Sequence, residues 1–144
     1  MQPRLAELKE RVVCVVPHHG DPHRIDDTRR PLYRHMIQHE LVGGPSIVRW
    51  LDKPEKGHVV DALVQTYIDF EGDEVCTVER LSAGLHAVLD FEGNEAELEA
   101  SRHALRLWVD GQGLRPAGSL LQVHLMDAID GITEQELQLP VVPA

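Results

Sequence analysis

Glu136 has the clearest chemical use of any residue in this chain. It stands in Thr133-Glu134-Gln135-Glu136-Leu137-Gln138-Leu139-Pro140-Val141, a run whose alternating character reads as a strand closed by proline. A carboxylate flanked by Leu137 and Leu139 is partly desolvated in such a strand, and burying it unpaired is costly or drives proton uptake. A ligand cation or hydrogen-bond donor would relieve that cost. The same desolvation would suit a general acid or base acting on a strained electrophile. The competing reading is an ordinary strand glutamate facing water beside Glu134 and Gln138. The residues leave both open.

Other residue types offer less. His18, His19 and His23 cluster before a helix, and His35 and His39 stand at the i, i+4 spacing that can clamp a metal. No glutamate follows His35, so the zinc-protease pattern is missing and no metal is expected. Neither a Gly-x-Ser-x-Gly elbow nor a Gly-rich phosphate loop with lysine is present, and no cofactor is expected. Cys14 and Cys76 sit in strand-like runs without Cys-x-x-Cys spacing, the pattern of buried reduced thiols.

The elements that must position Glu136 come in two copies. Val12 to Ile68 and Leu85 to Val141 share one order at an offset of about 73 residues: strand, glycine turn, amphipathic helix, strand, Asp-containing turn, strand. Gly20 meets Gly93, and Asp52 meets Asp127. In the first copy Arg11 to Pro17 reads as a buried strand, and Asp26, Asp27 and Thr28 as caps of a helix whose Pro31 belongs in the first turn. Gly43-Gly44-Pro45 stops that helix; Ser46 to Leu51 is a strand, Asp52 to Gly57 a turn, and His58 to Asp69 a strand. In the second copy Leu85 to Phe91 is a strand, and Glu95 to Val109 a helix with Leu98, Ala104, Leu105 and Trp108 on one stripe and Arg102 and His103 outside. Leu120 to Met126 and Gln135 to Val142 close it. Glu74 to Leu81 and Gln2 to Leu8 read as the edge elements of the two copies, the latter equally well as helix.

These signals predict an α+β fold of tandem βαββ repeats with pseudo-twofold symmetry, two helices packing on one face of an antiparallel sheet. One domain over 1–144 is expected, with repeat one about 1–70 and repeat two about 74–142. A groove on the pseudo-twofold axis is the natural ligand site. Trp50 and His124 would line its two sides, with Tyr67 and Leu63 in the first repeat matching Pro140 and Glu136 in the second. Only one repeat then carries the acid, which suits a single oriented ligand. For Trp50 and His124 the alternative is plain core packing.

Composition excludes several classes. Asp plus Glu number 24 against 14 Lys plus Arg, giving a net charge of -10, which argues against direct nucleic-acid binding. An acidic surface also admits an interaction or inhibitor module for a basic partner protein, or a homodimer. The longest apolar run, Val12 to Val16, is too short to span a membrane, and the charged N-terminus lacks a signal-peptide pattern. A cytoplasmic location is expected.

Three stretches resemble the GyrI-like small-molecule-binding family. They are the closing strand Thr133 to Val141 with Glu136, the glycine-preceded strand Leu81-Ser82-Ala83-Gly84-Leu85-His86-Ala87-Val88, and Leu121 to Asp127 with its counterpart Ile47 to Pro54. Their order and spacing cover nearly the whole chain. The resemblance implies a tandem strand-helix-strand-strand fold whose groove binds small, often cationic or aromatic molecules. Its members serve as effector-binding domains of MerR-type and AraC-type transcription regulators, as drug-sequestering proteins, and as hydrolases of cyclopropane-bearing toxins. A buried glutamate near the end of the second repeat faces the ligand in many of them, and here it matches Glu136. The expected function is binding of a small, partly apolar organic molecule, with Glu136, Trp50, Tyr67, His124 and Leu63 at the site. The alternative is a hydrolase using Glu136. The two repeats use nearly all 144 residues, which leaves no expected helix-turn-helix, so a transcriptional role would need a partner chain.

Overall fold

The structure is a computed structural model describing residues 2–129 and 131–144, apart from the side chains of 127–129. Asp127, matched to Asp52 in the sequence, therefore has its side chain outside the described residues. The elements in chain order are β1 (Arg4–Leu8), β2 (Arg11–His18), α1 (Asp26–Gln38), β3 (Val42–Glu55), β4 (His58–Thr66), β5 (Thr77–Leu81), β6 (Gly84–Gly93), α2 (Glu95–Gly111), β7 (Leu114–Pro116), β8 (Leu120–Ile129) and β9 (Ile132–Pro143). The class is α+β, with antiparallel strand pairs and two helices. The chain divides into two compact units, Lys9–Ala83 and Met1–Leu8 with Gly84–Ala144.

In the unit Lys9–Ala83 the pairing order is β3-β4-β2-β5. The β-branched run of β2 sits between β4 and β5 and buries Val13, Cys14 and Val15. Cross-strand partners share a face and neighbours along a strand alternate. Cys14, Ala62 and Val64 therefore face Leu32 and Met36 of α1, with Cys76, in one apolar cluster. Val13, Val15, Ile47 and Leu63 lie on the other face.

The other unit has β1, β6, β9 and β8 in that order, with β7 added along the end of β9. Ala87, Leu89, Leu120, Leu137 and Leu139 pack beneath Leu98, Leu105 and Val109 of α2. Asn94 caps α2 through a full capping box with Glu97, which satisfies two N-terminal amides.

Several local expectations change. The N-terminal segment is a strand, and it pairs with β6, whereas β5 pairs with β2. Each edge strand thus joins the unit built from the other half of the sequence. Gly43-Gly44-Pro45 does not stop a helix: α1 has ended at Gln38, Glu40 takes the left-handed conformation, and the glycines lie in β3. Strand pairing requires them, because a Cβ on Gly43 would stand 2.4 Å from the Tyr67 backbone nitrogen. Asp52 is inside β3, and the hairpin turn shrinks to Lys56-Gly57. Pro31 lies in the second turn of α1, and Asp21 rather than Asp26 or Asp27 caps a backbone amide, that of His23 in a preceding 3-10 turn. Gly93 ends β6 rather than forming a turn. On α2, Arg102 is buried and Ala104 exposed, the reverse of the expected stripe, because the sheet beneath supplies Gln122 as a polar partner.

Candidate functional site

Glu136 sits in the middle of β9, the strand flanked by β6 and β8, so backbone pairing on both sides fixes its position. Its cross-strand partners are Asp90 on β6 and Val123 on β8. Directly opposed residues share a face, so Asp90, Val123 and Glu136 lie together. That face points away from α2. The opposite side is marked by Gln122, which accepts a 2.9 Å hydrogen bond from Arg102 of α2 and pairs with Leu137.

The carboxylate is held unequally. Gln138, two positions along the same face, donates from Nε2 to Glu136 Oε1 at 2.8 Å. Oε2 lies 3.9 Å from Arg4 Nη2, and Arg4 Nη1 donates to Asp90 Oδ2 at 3.0 Å. The Glu136 side chain keeps 24% of its exposure, so it is half-buried and still reachable. A second opposed acid pair, Glu92 and Glu134, follows two residues along the same face. Opposed like charges repel, and together they favour an approaching cation.

His124 is in the same unit but on the other side of the sheet. It pairs with Gln135, whose amide nitrogen lies 3.1 Å from His124 Nδ1 and also donates to Thr133 Oγ1. His124 therefore faces the α2 side, one residue out of phase with Glu136. Trp50 shows the same phase in the unit Lys9–Ala83: it pairs with Val60, on the side that α1 covers. Leu63 lies on the opposite side there and is fully buried. Tyr67 falls just beyond β4, is 69% exposed, and donates its hydroxyl to the Glu40 carbonyl at 3.2 Å.

Sequence reasoning missed the polar residues around Glu136. Asp90 carried a signal, an aspartate interrupting the apolar run Ala87-Val88-Leu89. Arg4 carried none, since its contact with Asp90 depends on the pairing of β1 with β6. Also missed was the network on the helix-free side of Lys9–Ala83. Asp61 accepts from Arg49 Nε and Nη2 at 3.0 and 2.7 Å, and from His58 Nε2 at 2.6 Å. Arg49 binds Glu79 as well, at 2.6 and 3.1 Å, and these carboxylates raise its pKa against the opposing effect of burial. With its charge balanced by two acids, Arg49 serves the fold.

His35 and His39 stack at 4.5 Å, but His35 Nε2 is bound to Asp73 Oδ2 at 2.8 Å. Among the described residues no group of three or more His, Cys, Asp or Glu is placed to hold a metal. Both cysteines are buried free thiols. Among the described residues no helix is long and apolar enough to cross a membrane.

Known proteins share this architecture. EcmrR in its DNA complex superposes with a TM-score of 0.87 at 15% identity, covering 99% of this chain and 58% of that one. The isolated C-terminal domain of EcmrR gives 0.87 at 17% identity, covering 99% of this chain and 98% of that domain. SAV2435 bound to tetraphenylphosphonium gives 0.63 at 12% identity, covering 99% and 94%. At these identities the likeness is one of fold. A methylthioribose kinase from Geobacillus thermodenitrificans (strain NG80-2) is 36% identical over 96 residues, which span 58% of this chain but only 24% of that protein. The model of the GyrI-like small molecule binding domain matches residues 1–142. With nearly its full length matched, the chain belongs to the GyrI-like family of small-molecule-binding domains.

Proposed function

We propose that this chain binds small, partly apolar organic cations, and that Glu136 supplies the charge on the face of β6, β9 and β8 that points away from α2. The observation that carries the reading is the asymmetry of Glu136: Oε1 is taken by Gln138, whereas Oε2 is left to a charged group 3.9 Å away. A half-buried carboxylate fixed in this way exchanges one cationic partner for another without reorganising its strand. The opposed Asp90 adds negative potential and suits a monocation of delocalised charge. SAV2435, which shares the fold, binds tetraphenylphosphonium, a ligand of this chemistry.

Alanine substitution ranks Trp50, Tyr67, His124 and Leu63, the other residues expected to matter for binding. His124 is expected to matter least, because it shares the α2 side with Gln135. The net charge of -10 supports a module that makes no phosphate contacts of its own.

The test is calorimetric titration with tetraphenylphosphonium, beside triphenylphosphine oxide as a neutral control. Glu136→Gln should weaken cation binding about tenfold or more, the effect of losing a partly desolvated charge pair, and leave the neutral probe within about twofold. Equal affinity of wild type and Glu136→Gln for the cation would sink the reading.

A further inference from the structure

Arg4 occupies a special place in β1. That strand is the last in the order β1-β6-β9-β8, pairing with β6 alone, and Arg4 is its first residue. Its backbone lies opposite Val88, and its side chain runs diagonally forward on the same face to Asp90. The guanidinium thereby stands over the opposed carboxylates Asp90 and Glu136, with Nη1 at 3.0 Å from the first and Nη2 at 3.9 Å from the second. One planar cation with several donors spans both acids. It takes the position where the proposed site would hold a ligand's positive charge.

We infer that Arg4 is a built-in competitor of the cationic ligand, covering Asp90 and Glu136 in the free protein and swinging out to water when a ligand cation arrives. The inference rests on the ligand reading above. Three features make the exchange physically easy. The Arg4 side chain is half exposed, so its charge loses little hydration on pairing and regains it fully on leaving. The contact with Glu136 is an ion pair at 3.9 Å, longer than a hydrogen bond, whereas Gln138 grips the other oxygen at 2.8 Å. Departure of Arg4 therefore leaves Glu136 oriented. Finally, the backbone of β1 is held by its pairing with β6, so a side-chain rotation suffices.

The device bears on selectivity. A neutral molecule gains nothing by displacing a guanidinium from two carboxylates and must bind beside it. A cation replaces the charge that leaves, so the acids stay compensated. Arg4 thus sets a threshold that favours cations over neutral molecules of the same shape, at the expense of some affinity for the cations themselves.

The experiment titrates tetraphenylphosphonium and triphenylphosphine oxide into wild type, Arg4→Gln, Arg4→Lys, Glu136→Gln and the double variant Arg4→Gln/Glu136→Gln. Arg4→Gln should tighten tetraphenylphosphonium binding by about two- to fivefold, the range that one exposed ion pair allows. It should leave triphenylphosphine oxide within about twofold or tighten it less. Arg4→Lys, which keeps the charge, should stay close to wild type, and the gain from Arg4→Gln should vanish on the Glu136→Gln background. Arg4→Gln that leaves cation affinity unchanged or lowers it, while Glu136→Gln still weakens binding, overturns this inference and spares the ligand reading. Equal tightening of both probes overturns it as well. If no protein in the series binds the cation, the inference and the reading fall together. Cation binding that emerges only in Arg4→Gln supports it in its strongest form.

Discussion

Gln138 holds Glu136: its amide nitrogen lies 2.8 Å from Oε1, two positions away on the same face of β9. Gln138 is itself only 6% exposed, so its side chain is immobilised by packing, and Glu136 inherits that order. Gln138→Leu keeps much of the volume and removes the donor. Stability to urea should fall by about 1 kcal/mol, the net worth of such a bond. Tetraphenylphosphonium affinity should fall about threefold or more as Glu136 gains rotamers. Unaltered affinity would mean that Glu136 is oriented without Gln138.

Asp61 anchors a network whose parts are unequally exposed. Its side chain is 5% exposed and serves both Arg49 and His58, whereas that of Glu79 is 43% exposed. Asp61→Ala should cost about 2 kcal/mol in chemical denaturation, because it removes one of the two carboxylates that hold Arg49 and the acceptor of His58, both on a buried residue. Glu79→Gln should cost under about 1 kcal/mol, as solvent screens its charge. Equal losses for the two variants would contradict this ranking.

Asp73 predicts a pH dependence. The His35 imidazole beside it, with the backbone amides of Val75 and Cys76, holds its carboxyl down from 3.8 to about 2. A carboxyl depressed by folding contributes stability above its unfolded value, and that contribution is lost as pH falls through the folded one. The gap in melting temperature between wild type and Asp73→Ala should therefore be open near pH 5 and close as pH falls toward about 2. Calorimetric scans across that interval measure it, and a gap that persists at the acid end would refute the assignment.

The two thiols should be inert. Burial, then the neighbouring Cys14, pushes the Cys76 thiol from 9.0 up to about 12, and burial also raises Cys14. The reactive species is the thiolate. At pH 8 neither cysteine should react with an aromatic disulfide reagent in the native protein, and both should react in urea. Rapid native labelling of one thiol would show that β2 and the segment before β5 open locally.

Much of the element order was legible because it rests on short-range periodicity. The β-branched run of β2 reads as a strand, and the helical spacing of Leu98 and Leu105 marks α2. The alternation around Glu136 placed that carboxylate in a strand and left its burial open. Arg102 misled, since only the sheet beneath α2 provides the Gln122 that makes its burial tolerable. Gly43 and Gly44 misled for a similar reason: their role is close approach to β4, which no local pattern records.

By itself the sequence determined the class, the duplication and the strand that carries Glu136, because those follow from the alternation of residue types over a few positions. Only the tertiary structure decided what surrounds that carboxylate. Pairing of β1 with β6 brings Arg4 to Asp90 across 86 positions, and the register of β9 against β8 turns His124 to the opposite face from Glu136. The physical reason is that register follows from the summed burial and backbone hydrogen bonding of whole strands. A shift of one residue would exchange the two faces and leave every local pattern unchanged.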